Sequence, residues 1–328
     1  SCSSLFGQAS TDNERPGDPG PPHLLTMQSL VFASACMMSA SSASARVFLH
    51  IASEAEMRVS TRIAEGHELS ARLVQVASTL PEGPTKSLLH SFRICTKCHQ
   101  FKRWGEGHDG GYLTCQDGLE GGKIKAAYSM GVEGHDKWSD DVYEALKVPV
   151  NQFDCTVDHP AQKCPDCHFF KACLSAPGGA GGISGKTNWD LEEALKQTGQ
   201  GNATDRSLLM KMDIEGAEWF VFSANSGAPL KKFKEIIMEF HSIHDESSHP
   251  RYLKAMQTIH AAGFKVAHVH GNNYAGTYRK GGYKIPDVVE ITFVADTPAL
   301  ATCENPKHNV LDTVNNPNII EIPDSVLP

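Results

Sequence analysis

Between residues 124 and 294 the apolar positions fall into short, nearly unbroken runs, separated by stretches with helical spacing. The runs at 124–130, 148–153, 169–174, 208–212, 236–240, 264–269 and 288–294 have the length and composition of buried strands. The first closes on Gly131 and the second on Asp154. Helical spacing marks 136–146, 189–197, a segment starting near Ala217, and 252–262, which Gly263 stops. A glycine-rich loop covers 177–185. Strands that alternate with helices and are apolar on both faces predict a mostly parallel sheet covered on both sides, an α/β architecture.

Upstream, Met57, Ile63, Leu69, Leu73 and Val76 recur at helical intervals within 54–79, and Pro81 and Pro84 break that pattern. Residues 1–26 are rich in Ser, Pro and Gly and read as disordered. The stretch 27–45 is apolar and small and ends in an A-x-A-like pattern. It reads as a secretory signal peptide cleaved near Ala45 or as a plain leader or first helix, because no positive charge precedes it. Residues 297–328 are dense in Asn and Pro and read as a loosely held tail.

The 328 residues leave room for one large α/β domain plus a tail, or for two small domains. A net charge of −8 without a long Lys/Arg run has the wrong sign for a phosphate-rich partner, so nucleic acid is not expected. No stretch reaches the roughly 20 unbroken apolar residues of an integral membrane span. Ten cysteines, an even count, permit a disulfide framework in a secreted chain. Two C-x-x-C pairs, Cys95/Cys98 and Cys164/Cys167, also admit a four-cysteine zinc site, although 65 residues separate Cys98 from Cys164. A bridge from the Cys95/Cys98 region to Cys115 is the disulfide alternative, and free thiols are expected in a reducing compartment. Secretory or extracellular placement and cytoplasmic placement both stay open. Asn202-Ala203-Thr204 is a glycosylation acceptor pattern that occurs often by chance.

In open α/β sheets, ligands bind beyond the carboxyl ends of the strands. The residues there are Gly131 with Glu133 and Asp136, then Asp154, Asp213 with Glu215, Glu239 with His241, and His270 with Asn272 and Asn273. Gly131 suits either a tight turn or close approach of a cofactor to the backbone. Asp154 suits a capping role or the two hydroxyls of a ribose. Asp213 shares an otherwise apolar strand with Lys211, so the two charges belong at the mouth of the sheet or need partners. Glu218 reads as a helix-start carboxylate.

Four segments together resemble the FkbM-type methyltransferases and the methyltransferase-like proteins of animals. KMDIEGAEW (211–219) is similar to their K-x-D-x-E-G-x-E signature. RWGEGHDGGYLTC (103–115) resembles an upstream R-x-G…D-G-G-Y element. SMGVEGHDKWSDDVYEAL with FDCTVDHP resembles two cofactor motifs, and EFH, HGNNY and IPDVVEITFV resemble the C-terminal end. Ser129 stands where this fold class commonly has an acidic residue, and CPDCHFFKAC is unusually rich in cysteine.

The resemblance implies a class I, Rossmann-like fold with a seven-stranded sheet whose last strand is antiparallel. It divides the chain into a leader at 1–50, a helical extension at 51–91, a methyltransferase domain at 92–296 and a tail at 297–328. It implies S-adenosylmethionine as cofactor, held by Gly131 and Asp154, with Asp213 near the transferred methyl. Asp109 and Gly111 of the D-G-G turn, and Glu215, complete the expected cofactor-binding set. O-methylation of a sugar, glycan or other small hydroxyl compound is the expected reaction. His241 is the first candidate base, because an ordinary imidazole titrates near about 6.5; Asp213 is the second, and a structural role for His241 is the alternative. A divalent metal held by Asp213, Glu239, His241 and His270, with Asn272 or Asn273, is a further expectation. The competing readings are a non-catalytic protein that keeps the fold and a zinc-stabilised interaction module built on the C-x-x-C pairs.

Overall fold

The buried runs pair into one seven-stranded sheet. A computed structural model describes residues 80–159 and 164–319. The chain divides into two units, Ser1–Glu68 and Leu69–Pro328. The leader, the signal-peptide reading and the helical spacing at 54–79 lie outside the described residues.

The sheet runs in the order β6 (Cys167–Phe170), β5 (Val150–Phe153), β4 (Ala126–Met130), β9 (Leu208–Met212), β10 (Phe233–Phe240), β12 (Tyr283–Ala295), β11 (Phe264–Lys280). The pairs β6–β5, β5–β4, β4–β9 and β9–β10 are parallel, and β12 is antiparallel to both β10 and β11. The chain builds outward from β4 to β6 and then returns to β9 on the other side of β4. The carboxyl ends of β4 and β9 therefore flank the switch point where ligands bind in such sheets.

Helix α1 (Pro84–Ser91) begins with Pro84 in its first turn, so the proline that breaks the upstream pattern also starts a helix. Helix α2 (Lys137–Leu146) follows β4 and is capped by Asp136, which accepts from the Ser139 amide. Asp190 caps α3 (Leu191–Gln197) in the same way. Helix α4 (Glu218–Ser223) follows β9, and α5 (His249–Ala261) precedes β11. Phe153 stacks between Tyr128 and Phe170, and Trp219 stacks on both Phe240 and Tyr252.

Three expectations change. The run 169–174 is not one strand: β6 ends at Phe170, and β7 (Cys173–Leu174) pairs instead with β8 (Asn188–Trp189). The Cys155–Cys173 disulfide holds that turn against the end of β5. The last two sheet strands are a long hairpin, turning at Gly281 and Gly282, both at positive φ. Among the described residues, the tail through 319 is held rather than loose. Here β13 (Ala299–Glu304) pairs with β1 (Ile94–Thr96), Cys303 bridges to Cys95, and Asn315 and Asp312 are hydrogen-bonded into the domain.

Candidate active site

Gly131 sits at the crossing of the two central strand ends. The Asp213 amide donates to Met130 O at 2.9 Å, and a Cβ on Gly131 would lie 1.6 Å from Asp213 O. With φ at +80°, this glycine is required by the meeting of two backbones. It still lines both cavities at the site.

One cavity, of about 180 Å³, lies over the ends of β4, β5 and β7. Its walls include Phe153, Leu174, Ile183 and Ile214, and its carboxylates are Glu133, Asp154, Asp213 and Glu215. Among the described residues, no Lys, Arg or His lines it. The other cavity, of about 200 Å³, lies toward β2 (Phe101–Gly105) and β3 (Gly111–Cys115) and is lined by Asp109, His135, Lys211 and Glu239 among others. Gly131, Glu133, Asp213 and Glu215 belong to both.

Asp154 directs all its acceptor positions inward. Its Oδ2 accepts from the amides of Val132 and Glu133, both at 3.1 Å, and its Oδ1 accepts from the Thr156 amide and hydroxyl at 2.7 and 2.6 Å. Burial pushes its acidity toward the neutral form, and the donors from Thr156, Glu133 and Val132 outweigh it and lower the pKa. The carboxylate thus pins the loop after β4, and a ribose hydroxyl at this edge must share one of those oxygens. Asp109 reaches the second cavity, an acidic one with seven carboxylates in its lining, where its Oδ1 accepts from Asn272 and Asn315. Gly111 lines neither cavity. Its missing side chain makes room for Glu106 O and Arg103, and Gly110 is the glycine of that turn that faces the cavity.

At the junction of the cavities Asp213, Glu239 and His241 converge, each offering a ligand atom within 4.8 Å of the others. The Tyr112 hydroxyl donates to Asp213 Oδ2 at 2.9 Å and Glu239 Oε2 at 3.0 Å. Burial, Asp213 and Glu239 push that hydroxyl well above its usual range, so it remains a donor. Lys211 donates to Gly131 O at 2.7 Å and stands 3.6 Å from Asp213 Oδ2. Burial pulls its pKa down, but Asp213, Asp136 and Glu239 outweigh it and raise the ammonium. Burial, Asp213 and Glu290 push Glu239 well above the carboxylate range.

His241 has a different environment from the one an exposed imidazole would have. Burial favours its neutral form, but Glu218, Glu239 and Asp213 reverse that and hold its pKa at about 10. Those carboxylates favour the charged ring, so the ordinary imidazole value near about 6.5 does not describe this site. Glu218, fully buried at the start of α4, accepts from the Ile214 amide at 2.7 Å and holds His241 Nδ1 at 3.2 Å. Helix-start geometry explained Glu218 from sequence alone and hid this contact.

His270 does not join the cluster. It lies on β11 in register with Glu290 and 4.0 Å from Asp312. Asn272 donates to Glu239 Oε1 at 2.8 Å, whereas Asn273 turns to the carbonyls of Asn316 and Ile319. The zinc reading of the C-x-x-C pairs is overturned. Cys95 bridges to Cys303, Cys98 to Cys115, Cys155 to Cys173 and Cys164 to Cys167, and a bridged sulfur is no thiolate ligand.

A mostly parallel seven-stranded sheet in this order, with one antiparallel strand and its ligand residues at the β4/β9 switch point, defines the class I methyltransferase fold. Residues 198–266, which include the signature, Glu239 and His241, match the family model for the methyltransferase FkbM domain. That match covers 69 of the 328 residues, from the end of α3 to the start of β11.

No curated protein matches the chain. Among solved structures, it is similar to a Listeria monocytogenes protein described as an S-adenosylmethionine-dependent methyltransferase, at 10% identity and a TM-score of 0.31, over 54% of this chain and 93% of that one. A 16S rRNA (adenine(1408)-N(1))-methyltransferase W203A mutant from Catenulisporales acidiphilia aligns at 10% identity and a TM-score of 0.28, over 63% of this chain and 99% of that one. The Methanococcus jannaschii fibrillarin pre-rRNA processing protein aligns at 10% and 0.30, over 54% and 68%. Scores this low carry no argument, and the fold class rests on the strand order. Among the described residues no helix is long and apolar enough to cross a membrane.

Proposed function

We propose that the protein transfers a methyl group from S-adenosylmethionine to a hydroxyl oxygen of a small polyhydroxylated acceptor, such as a sugar or a glycan end. The observation that carries this reading is the lining of the cavity beside β5: four carboxylates and, among the described residues, no basic side chain. A dinucleotide would bring its pyrophosphate into that negative field, whereas a sulfonium and an ammonium suit it. Phe153, Leu174, Ile183 and Ile214 offer apolar surface to a flat purine. S-adenosylmethionine supplies, when bound, a methyl group on a cationic sulfur that leaves as a neutral thioether.

The chain's own residues position the acceptor. Asp109 and Glu239 line the acidic cavity and can accept hydrogen bonds from acceptor hydroxyls. Asp213 faces both cavities and takes the hydroxyl proton as the carbon–oxygen bond forms. His241 Nε2 stands 3.8 Å from Asp213 Oδ1 and faces the carboxylates around it. Most of the acceleration comes from holding acceptor and methyl in line. The four disulfides favour an oxidising setting, the secretory pathway or the cell exterior.

A transfer screen with methyl-labelled cofactor against carbohydrates, lipids and small phenols tests this. Label is expected in a carbohydrate hydroxyl. Cofactor bound with no label in any class would contradict the proposal and leave a protein that binds without turnover.

A further inference from the structure

The side chains at the junction are turned in a way that ion pairing alone does not require. Tyr112 draws Asp213 Oδ2 and Glu239 Oε2 to itself, which leaves Asp213 Oδ1 and Glu239 Oε1 facing His241. Both oxygens lie 3.8 Å from His241 Nε2, and Glu215 Oε2 lies 3.5 Å from the same atom on the open side. These separations are long for hydrogen bonds. They suit donors that share one ion at about 2.1 Å each, after small side-chain rotations.

A second observation is independent of the carboxylates. Glu218 is fully buried behind the ring, is itself fixed by the Ile214 amide, and holds Nδ1. A carboxylate behind an imidazole fixes its tautomer and aims the other nitrogen outward, as metal-ligating histidines are normally held. Asn272 steadies Glu239 Oε1 in the same manner. A neighbouring group, Asp109, Glu239 and Glu290, contains no nitrogen donor.

We propose that Asp213, Glu239 and His241 bind one divalent ion of the Mn²⁺ or Zn²⁺ kind, with Glu215 as an optional fourth ligand and Glu218 as the positioning residue for His241. One nitrogen and two carboxylate oxygens form a mixed donor set suited to these ions. The ion deepens the methyl-transfer reading, on which its role rests. It would sit where the two cavities meet and polarise the acceptor hydroxyl, so that the proton leaves more readily to solvent or a carboxylate.

The test uses the full chain, stripped with a chelator and titrated with Mn²⁺ while free Mn²⁺ is read by electron paramagnetic resonance. One bound Mn²⁺ per chain is expected, displaced by Zn²⁺, and pulsed measurements should show nitrogen coupling from one imidazole. Asp213→Asn and His241→Gln should abolish uptake, Glu218→Gln should weaken it about 10- to 100-fold, and Glu290→Gln should retain it. No uptake at millimolar Mn²⁺, or bound Mn²⁺ without imidazole coupling, overturns the proposal. The coupling is read on the unmodified chain, so a variant that fails to fold does not rescue the idea. An ion bound by protein that takes up no S-adenosylmethionine would contradict the methyl-transfer reading and leave the metal site standing. The reverse result would remove only the metal.

Discussion

In one half of the sheet, β4, β5, β6 and β9 bury mainly apolar and neutral polar side chains, with Lys211 their one buried charge among the described residues. In the other half, β10, β12 and β11 bury Glu235, Glu239, Glu290, His268 and His270. Both halves use the same sheet, yet they solve different problems. The first half makes a smooth apolar wall for a ligand that the whole fold class shares. The second half keeps charged groups out of water, which is costly unless each has partners. That cost is offset by residues distant in sequence: Tyr112 for Glu239, Asp312 for His268 and Asn315 for Glu290. The proposed cofactor seat is therefore local to its strands, whereas the proposed reacting end depends on the D-G-G turn and the C-terminal segment at β11 and β12.

The junction is where this comparison breaks most sharply. Asp213→Asn should lower turnover by about 10²- to 10⁴-fold, while calorimetry should show cofactor affinity changed far less. Equal losses in both would place Asp213 in cofactor binding alone. In the apolar half, Phe153→Ala removes a fully buried ring stacked on two others and should cost about 3–5 kcal/mol in urea unfolding. A loss below about 1 kcal/mol would mean that the wall is not packed as described. Between chain ends, Cys95 and Cys303 lie 208 residues apart, and replacing both with Ser should cost about 2–5 kcal/mol in thermal or denaturant unfolding.

The charged half should reveal itself through pH. Burial lifts Glu290 from the usual carboxylate range to about 7, partly offset by His270 and Asn315. A folded value above the unfolded one means that the stability tied to the neutral form is complete below about pH 4.5 and is lost as pH rises through about 7. Glu290→Gln should therefore match the parent at pH 4 and exceed it at pH 8, by a few kcal/mol at most. A constant difference across that range would contradict the assignment. The smallest effect is expected at the strap: Asn315→Ala frees Asp109 and Glu290 of one donor and should raise the acceptor KM about fivefold, the scale of one hydrogen bond.

The two halves were also unequally legible in the sequence. Strands β4, β5 and β9 announced themselves as apolar runs because burial on both faces demands them. Strand β11 was read too short, since 270–280 is polar, and its polar residues are stable there only through partners such as Asp109, 163 positions from Asn272. The convergence of Asp213, Glu239 and His241 followed from their place at adjacent strand ends. The proton state of His241 did not, because Glu218 reaches it from a helix whose start needed no further explanation. Among the cysteines, a short-range bridge such as Cys98–Cys115 could be foreseen, whereas Cys95–Cys303 depends on β13 returning to β1.

The central claim is that the cavity beside β5 is built for a cationic nucleoside ligand. Isothermal titration of the full chain with S-adenosylmethionine, then with NAD, tests it most directly. One equivalent of S-adenosylmethionine should bind, and NAD should give no saturable heat. Saturable NAD binding, or no binding of S-adenosylmethionine by folded protein, would contradict the account.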